Sequence, residues 1–321
     1  MSFRPSRETY FSDKSALRYY SQPRHSRVNL MGGFSNGLKW GRVPHEEMPL
    51  LRWVLEASDR ESELSSDFIC HSRVLRTILS TPCNAEDDWA IVAVKVGRSI
   101  ILKEVDTDRR KIEKLRQKGS SNAGSYAGFQ FISKYTRRFD GTRVPTLTDG
   151  HRDSFYLVTQ SRINSHSIIC ANRTDCLEDK SQYEKPLEEM KFVKLATRSH
   201  YWNDPRRDAF WHKRAANWWA EGIVSGITTI LCGQKTHGNR VGKVIQEDVK
   251  CLPHIGHPWE PNTCFNWLDQ TLSVIKLKVV EDLVPYRFYY QPDGKPSYSK
   301  LDEPVENYVP RWFIERKQPV P

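Results

Sequence analysis

The stretch "DDWAIVAVKVGRSIILKEVDT" constrains the fold more than any other. Two apolar, β-branched runs meet at Gly97-Arg98, where glycine permits a tight reversal, so the sequence predicts two strands joined as a hairpin. Helical periodicity brackets them. In "HEEMPLLRWVLEASDRES" Met48, Leu51, Val54 and Leu55 recur at the spacing of one helix face, and "DTDRRKIEKLRQKGSS" is a charged helix that stops at Gly119. Further on, "GSYAGFQFISKYTRRF" and "RDAFWHKRAANWWAEGIVSG" predict helices, the second ended by Gly226. The runs "SFYLVTQSRI", "SHSIICANRTDC", "EEMKFVKLATRS", "ITTILCGQK" and "RVGKVIQEDV" predict strands; "CFNWLDQTLSVIKLKVVED" is a long helix and "YVPRWFIERKQ" a last strand or turn. Strands and helices mix without regular βαβ alternation, which is the signature of an α+β protein with its strands grouped into packed sheets. Residues 1–45 lack periodicity and read as a partly ordered arm; 46–321 read as a single domain.

The chain has 321 residues, 10 of them Trp, and a 38% apolar share, enough for a sizeable core. A formal net charge of +10 suits a polyanion or an acidic protein surface. Seven cysteines, at 70, 83, 170, 176, 232, 251 and 264, form no CxxC pair and read as reduced thiols of an intracellular protein. No apolar run approaches the ~18 residues of a membrane span, so no membrane partner is expected.

Most chemical motifs are missing. There is no HExxH or Walker loop. "CLPHIGH" gathers Cys251, His254 and His257, with Cys264 beyond, but C-x2-H-x2-H-x6-C is not a structural-zinc spacing, and an ordinary loop accounts for it. Two-metal phosphodiester chemistry needs several carboxylates converging on ions about 3.5–4 Å apart. The strand ends "ANRTDC" and "KFVKLAT" offer one acid, Asp175, against Arg173 and Lys194. Placing an ammonium 4 Å from a divalent ion costs roughly 8 kcal/mol at an effective dielectric near 20.

The blocks "LRYY" (17–20), "DFIC" (67–70), "TP" followed by "DDWAI" (81–91), "GFQF" (128–131), "WHKRAANWWAEG" (211–222) and "WEPNTCFNW" (259–267) occur in the order seen in the DXO family of RNA 5′-end decapping and exonuclease proteins. On these blocks the chain resembles that family from about Leu17 to Trp312. The resemblance implies a fold of two packed mixed β-sheets with surrounding helices. It also places the family's active-site positions on this chain. The arginine after "DFIC" falls on Ser72, with Arg73 beside it, and the glutamate closing the Gly-aromatic-x-Phe-Glu motif falls on Ile132. In Glu-x-Asp the glutamate is Arg173 and the aspartate remains as Asp175; Glu-Leu-Lys becomes Lys194-Leu195-Ala196; the glutamine after the paired tryptophans becomes Glu221.

Three of the four family acids compared are thus replaced. The replacement pattern resembles a catalytically degenerate, Cutoff-like branch of the family in the germline piRNA pathway. It implies a nuclear, non-enzymatic protein without the Mg²⁺ or Mn²⁺ site, which protects uncapped nascent transcripts and suppresses splicing and termination. Rhino- and Deadlock-like partners, nascent RNA and, by family analogy, a 5′→3′ exonuclease are the implied partners. The alternative is a residual metal-dependent decapping or exonuclease enzyme. Arg73, Arg173, Lys194 and Arg198 are candidates for holding an RNA phosphate; equally, these cations pair with Asp175 and Glu221 and close the old site with ion pairs.

Overall fold

The computed structural model describes residues 1–4, 9–25, 27–34, 47–60, 66–116, 123–142, 154–199, 214–255, 258–292 and 296–317. By contact density the chain divides into two units. The first comprises Met1–Pro44, Arg116–Leu157 and Arg173–Pro258; the second comprises His45–Leu115, Val158–Asn172 and Trp259–Pro321.

The second unit is built around the expected hairpin, β6 (Trp89–Val96) and β7 (Ser99–Val105), turning at Gly97 in the left-handed conformation. β6 is buried along nearly its whole length and lies inside the sheet, with β15 (Pro285–Tyr290) paired along its other edge. The order β16-β15-β6-β7-β5-β10-β9 adds β16 (Ser297–Lys300), β5 (Phe68–His71), β10 (His166–Thr174) and β9 (Ser154–Ile163). β5 runs parallel to both β7 and β10, while the β6 pairings are antiparallel, so this sheet is mixed. The amphipathic helix predicted after residue 45 is α1 (Glu47–Arg60), followed by α2 (Ser72–Ser80) and the charged α3 (Asp108–Arg116). The expected stop of α3 at Gly119 lies outside the described residues.

In the first unit, residues 1–45 contribute four short strands, β1 (Ser2–Arg4), β2 (Thr9–Phe11), β3 (Tyr19–Tyr20) and β4 (Val28–Asn29). α4 (Ala123–Tyr135) precedes β8 (Thr136–Arg137). A seven-stranded sheet runs β4-β14-β13-β12-β11-β3-β8, with β11 (Cys176–Leu177), β12 (Phe192–Ser199), β13 (Thr229–Thr236) and β14 (Arg240–Asp248). β12 is parallel to β13 and antiparallel to β11, so this sheet is mixed too. Its core joins Phe131, Tyr135 and Ala127 of α4 to Cys176, Val193, Leu195 and Val241. α5 (Ala216–Ser225) ends where expected, at Gly226 with φ 69°, a left-handed cap that glycine adopts without a Cβ clash. The part of that predicted helix before residue 214 lies outside the described residues.

The α+β class with two mixed sheets and flanking helices is therefore what the chain adopts. In the second unit the long helix begins at Pro261 as α6 (Pro261–Lys278). The tail departs from expectation. "YVPRWFIERKQ" is neither strand nor turn but α7 (Arg311–Lys317). Pro310 sits just before its first turn, Arg311 pairs with Glu315 one turn on, and Phe313 and Ile314 are buried together, a spacing only a helix provides.

Candidate functional site

Sheet register in the first unit gathers most of the positions singled out above. β10 ends at Thr174 and β11 begins at Cys176, so Asp175 sits in the link between them. There its Oδ2 accepts the Leu195 backbone N–H at 2.9 Å, which ties the link to β12. Arg173, two residues back, is exposed. Ile132 approaches from α4, packed against the hydrophobic core cluster. Ile132, Arg173 and Asp175 together line a cavity of about 10 Å³, with Arg18, Ser154 and Phe155 among its other walls. Such a volume admits about one water molecule.

Lys194 lies one residue before Leu195 on β12 and donates from Nζ to Glu221 Oε1 of α5 at 2.6 Å. Their side chains are 18% and 25% exposed. A pair that close carries roughly 6 kcal/mol of raw attraction at an effective dielectric near 20, most of it offset by desolvation. Glu221 is held in place by its neighbour: a Cβ on Gly222 would meet Val249 Cγ2 at 2.7 Å and the Ile227 carbonyl oxygen at 2.9 Å, so only glycine lets α5 pack this close. Ala196, where the family motif has lysine, is buried opposite Cys232 of β13.

Arg198, also on β12, is buried, and its Nη2 meets Glu247 Oε1 of β14 at 3.0 Å. The local field is visible in nearby thiols and amines. Burial pushes the Cys232 thiol up to about 12 despite Arg198. Burial, reinforced by the Asp175 charge, also raises Cys176. Lys235 is lowered by burial and by Arg214.

Of the four cations proposed to hold phosphate, the structure gives three local carboxylate partners: Lys194 has Glu221, Arg198 has Glu247, and Arg73 has Glu104 at 3.4 Å. Arg73 and Ser72 open α2 in the second unit. Among the described residues, Arg173 has no ion-pair partner. Arg18 was missed as a site residue. It lies inside the "LRYY" block and is 5% exposed, and a buried arginine beside Arg173 and Asp175 adds a second guanidinium to the same cavity. In the "CLPHIGH" stretch, read as an ordinary loop, Cys251 is exposed and His257 lies outside the described residues, while Cys264 faces Cys83.

Comparison with known proteins gives this arrangement its context. Residues 1–314 match the model of the RAI1-like PD-(D/E)XK nucleases. The decapping and exoribonuclease protein of Homo sapiens is 22% identical over 323 residues, covering 95% of this chain and 81% of the relative. Candida albicans Rai1, solved in complex with pU5-Mn²⁺, superposes with a TM-score of 0.82 at 18% identity, covering 98% of this chain and 93% of that one. Scheffersomyces stipitis Rai1, solved with (3′-NADP)⁺ and a calcium ion, gives 0.83 at 14% identity over the same shares.

These relatives correct two expectations. Replacement of three acids led us to expect no enzyme and no metal ion; but the named relatives are decapping exoribonucleases, and their solved counterparts hold Mn²⁺ or Ca²⁺, so the family is enzymatic and uses a divalent metal. The expectation rested on replacements at Ile132, Arg173 and Lys194, and such replacements do not by themselves establish that activity or metal binding is lost. In this chain, Asp175 is engaged by a backbone N–H and Glu221 by Lys194. Among the described residues no group of three His, Cys, Asp or Glu is disposed to hold an ion. As arranged here, the described side chains do not make a metal-ligand set. The fold, the order of the motif blocks and the match over residues 1–314 agree, and the chain belongs to the RAI1-like PD-(D/E)XK nuclease family.

Proposed function

We propose that this protein acts on RNA 5′ ends, as its decapping and exoribonuclease relatives are named for doing, and that Arg173 receives the 5′ phosphate. The observation that carries this reading is the contrast between Arg173 and its neighbours. Lys194 and Arg198 each face a glutamate at 2.6 and 3.0 Å, whereas Arg173 is exposed at the rim of a cavity it shares with Arg18 and Asp175. A guanidinium presents a planar fork of N–H donors suited to phosphate oxygens, and an exposed one meets them without first giving up a carboxylate. The net charge of +10 draws the rest of the polyanion toward the surface at any sequence. Asp175, placed within the same cavity wall, is the carboxylate on which hydrolysis at this site depends.

The test is to incubate purified protein with 5′-monophosphate, 5′-triphosphate and capped RNAs of one sequence, with Mg²⁺ or Mn²⁺, and to read bound and cleaved fractions from the same samples. Preference for phosphorylated ends, with end-dependent cleavage lost in Asp175→Ala, is the expected result. Equal affinity for phosphorylated and 5′-hydroxyl RNA would defeat the reading.

A second, finer reading concerns where such binding is used. The replacements at Arg173, Lys194 and Glu221 are the features that resemble the Cutoff-like branch, which favours binding of uncapped nascent transcripts in the nucleus, among Rhino- and Deadlock-like partners. Co-purification of the tagged protein from nuclei with chromatin-bound transcripts supports it, and exclusion of the protein from nuclei would end it.

A further inference from the structure

All seven cysteines are free, yet two of them, in the second unit, already touch: Cys83 Sγ and Cys264 Sγ lie 3.5 Å apart, 181 residues distant in sequence. Cys83 closes the 3-10 turn Thr81–Cys83, and Cys264 occupies the first turn of α6. Both anchors are stiff. Thr81 Oγ1 donates to the Thr77 carbonyl at 2.8 Å and accepts Trp89 Nε1–H at 3.0 Å, while Leu268 and Leu272 of α6 are wholly buried. Cys83 is half-buried and Cys264 is 1% exposed. A surface cavity of about 340 Å³ lies beside the pair, its walls including Pro82 and Thr263, the chain neighbours of the two cysteines. A disulfide needs sulfurs about 2.05 Å apart, so the bond requires an approach of about 1.5 Å, within reach of side-chain rotation.

We propose that Cys83 and Cys264 form a reversible intramolecular disulfide, fixing the Thr81–Cys83 turn to α6 under oxidising conditions. With peroxide as oxidant, one thiol takes an oxygen atom to become a sulfenic acid and releases one water. The second sulfur then attacks the first and displaces hydroxide, which leaves as a second water with the remaining thiol proton. Two thiols and one H₂O₂ give one disulfide and two waters. Cys70 and Cys170 also face each other across the β5–β10 pairing, but both are buried within strands, as are Cys176 and Cys232, whereas Cys83 is half-buried on a turn and Cys251 is exposed.

The test uses the full chain carrying Cys251→Ser, treated with graded H₂O₂, denatured, and labelled with N-ethylmaleimide for intact-mass measurement. The expected result is a loss of two labelled thiols, restored by dithiothreitol, with a Cys83–Cys264 cross-linked peptide. Cys83→Ser, at a half-buried position that tolerates the smaller change, abolishes the loss, as does Cys264→Ser. Retention of the two-thiol loss in either variant, or irreversible oxygen addition at Cys83 without a cross-link, would overturn the proposal.

Discussion

The two units place their strand charges differently, although the second also buries Glu104 of β7 between Arg73 and Arg110. In the second, the central strand β6 is apolar along nearly its whole length, and the acidic Asp67 stands just before β5, where Lys276 and the Ser167 backbone N–H reach it. In the first, Lys194 and Arg198 lie on β12, each in register with β13, and each draws a glutamate from another element, Glu221 from α5 and Glu247 from β14. A charge at a strand end keeps part of its hydration. A charge within a central strand loses more and depends on a partner brought by tertiary structure.

The comparison can be broken most visibly in the apolar strand. Trp89 is 2% exposed and stacks on Tyr290 at 5.9 Å between ring centroids. Trp89→Ala is expected to cost about 3–5 kcal/mol, read by urea unfolding, and a loss below ~1 kcal/mol would deny that β6 is the load of the second unit's core. Glu221→Gln comes next. It leaves Lys194 short of its counter-charge in a partly buried setting, at about 1–3 kcal/mol, and adding Lys194→Met restores most of that loss. A double variant no better than the single would show that the pair is uncoupled.

Asp67 gives the smallest effect. Burial pushes its pKa up, but the hydrogen bonds from Lys276 and Ser167 prevail and hold it below 3.8. Its contribution is therefore present above 3.8 and is lost as pH falls through the depressed folded value. Asp67→Asn should cost under about 1 kcal/mol at neutral pH and flatten the acid limb of a stability–pH curve. An unchanged acid limb would mean that the carboxylate is not coupled to folding.

Periodicity and turn chemistry made the scaffold readable: α1, the Gly97 hairpin, β9, β10, β12 and the Gly226 stop of α5 all stand where the pattern places them. The tail was misread because "RWFIERK" is too short to show a helical repeat, and its Arg311–Glu315 spacing was overlooked. β15 went unnoticed although Tyr286, Phe288 and Tyr290 alternate inward from Arg287 and Tyr289, a strand period in an aromatic run. The motif blocks located Arg173, Asp175, Lys194 and Glu221, but not who pairs with whom. Glu247 reaches Arg198 only through the β12-β13-β14 register, and long-range register is not written in local sequence.

The central claim is that Arg173 receives an RNA 5′ phosphate. The most direct measurement is the affinity ratio between 5′-phosphate and 5′-hydroxyl forms of one short RNA, at fixed salt, for the parent protein and for Arg173→Glu. The account predicts a preference of roughly tenfold or more in the parent, as one charge-assisted contact provides, and its collapse toward one in the variant with folding intact. An unchanged ratio in Arg173→Glu would contradict it.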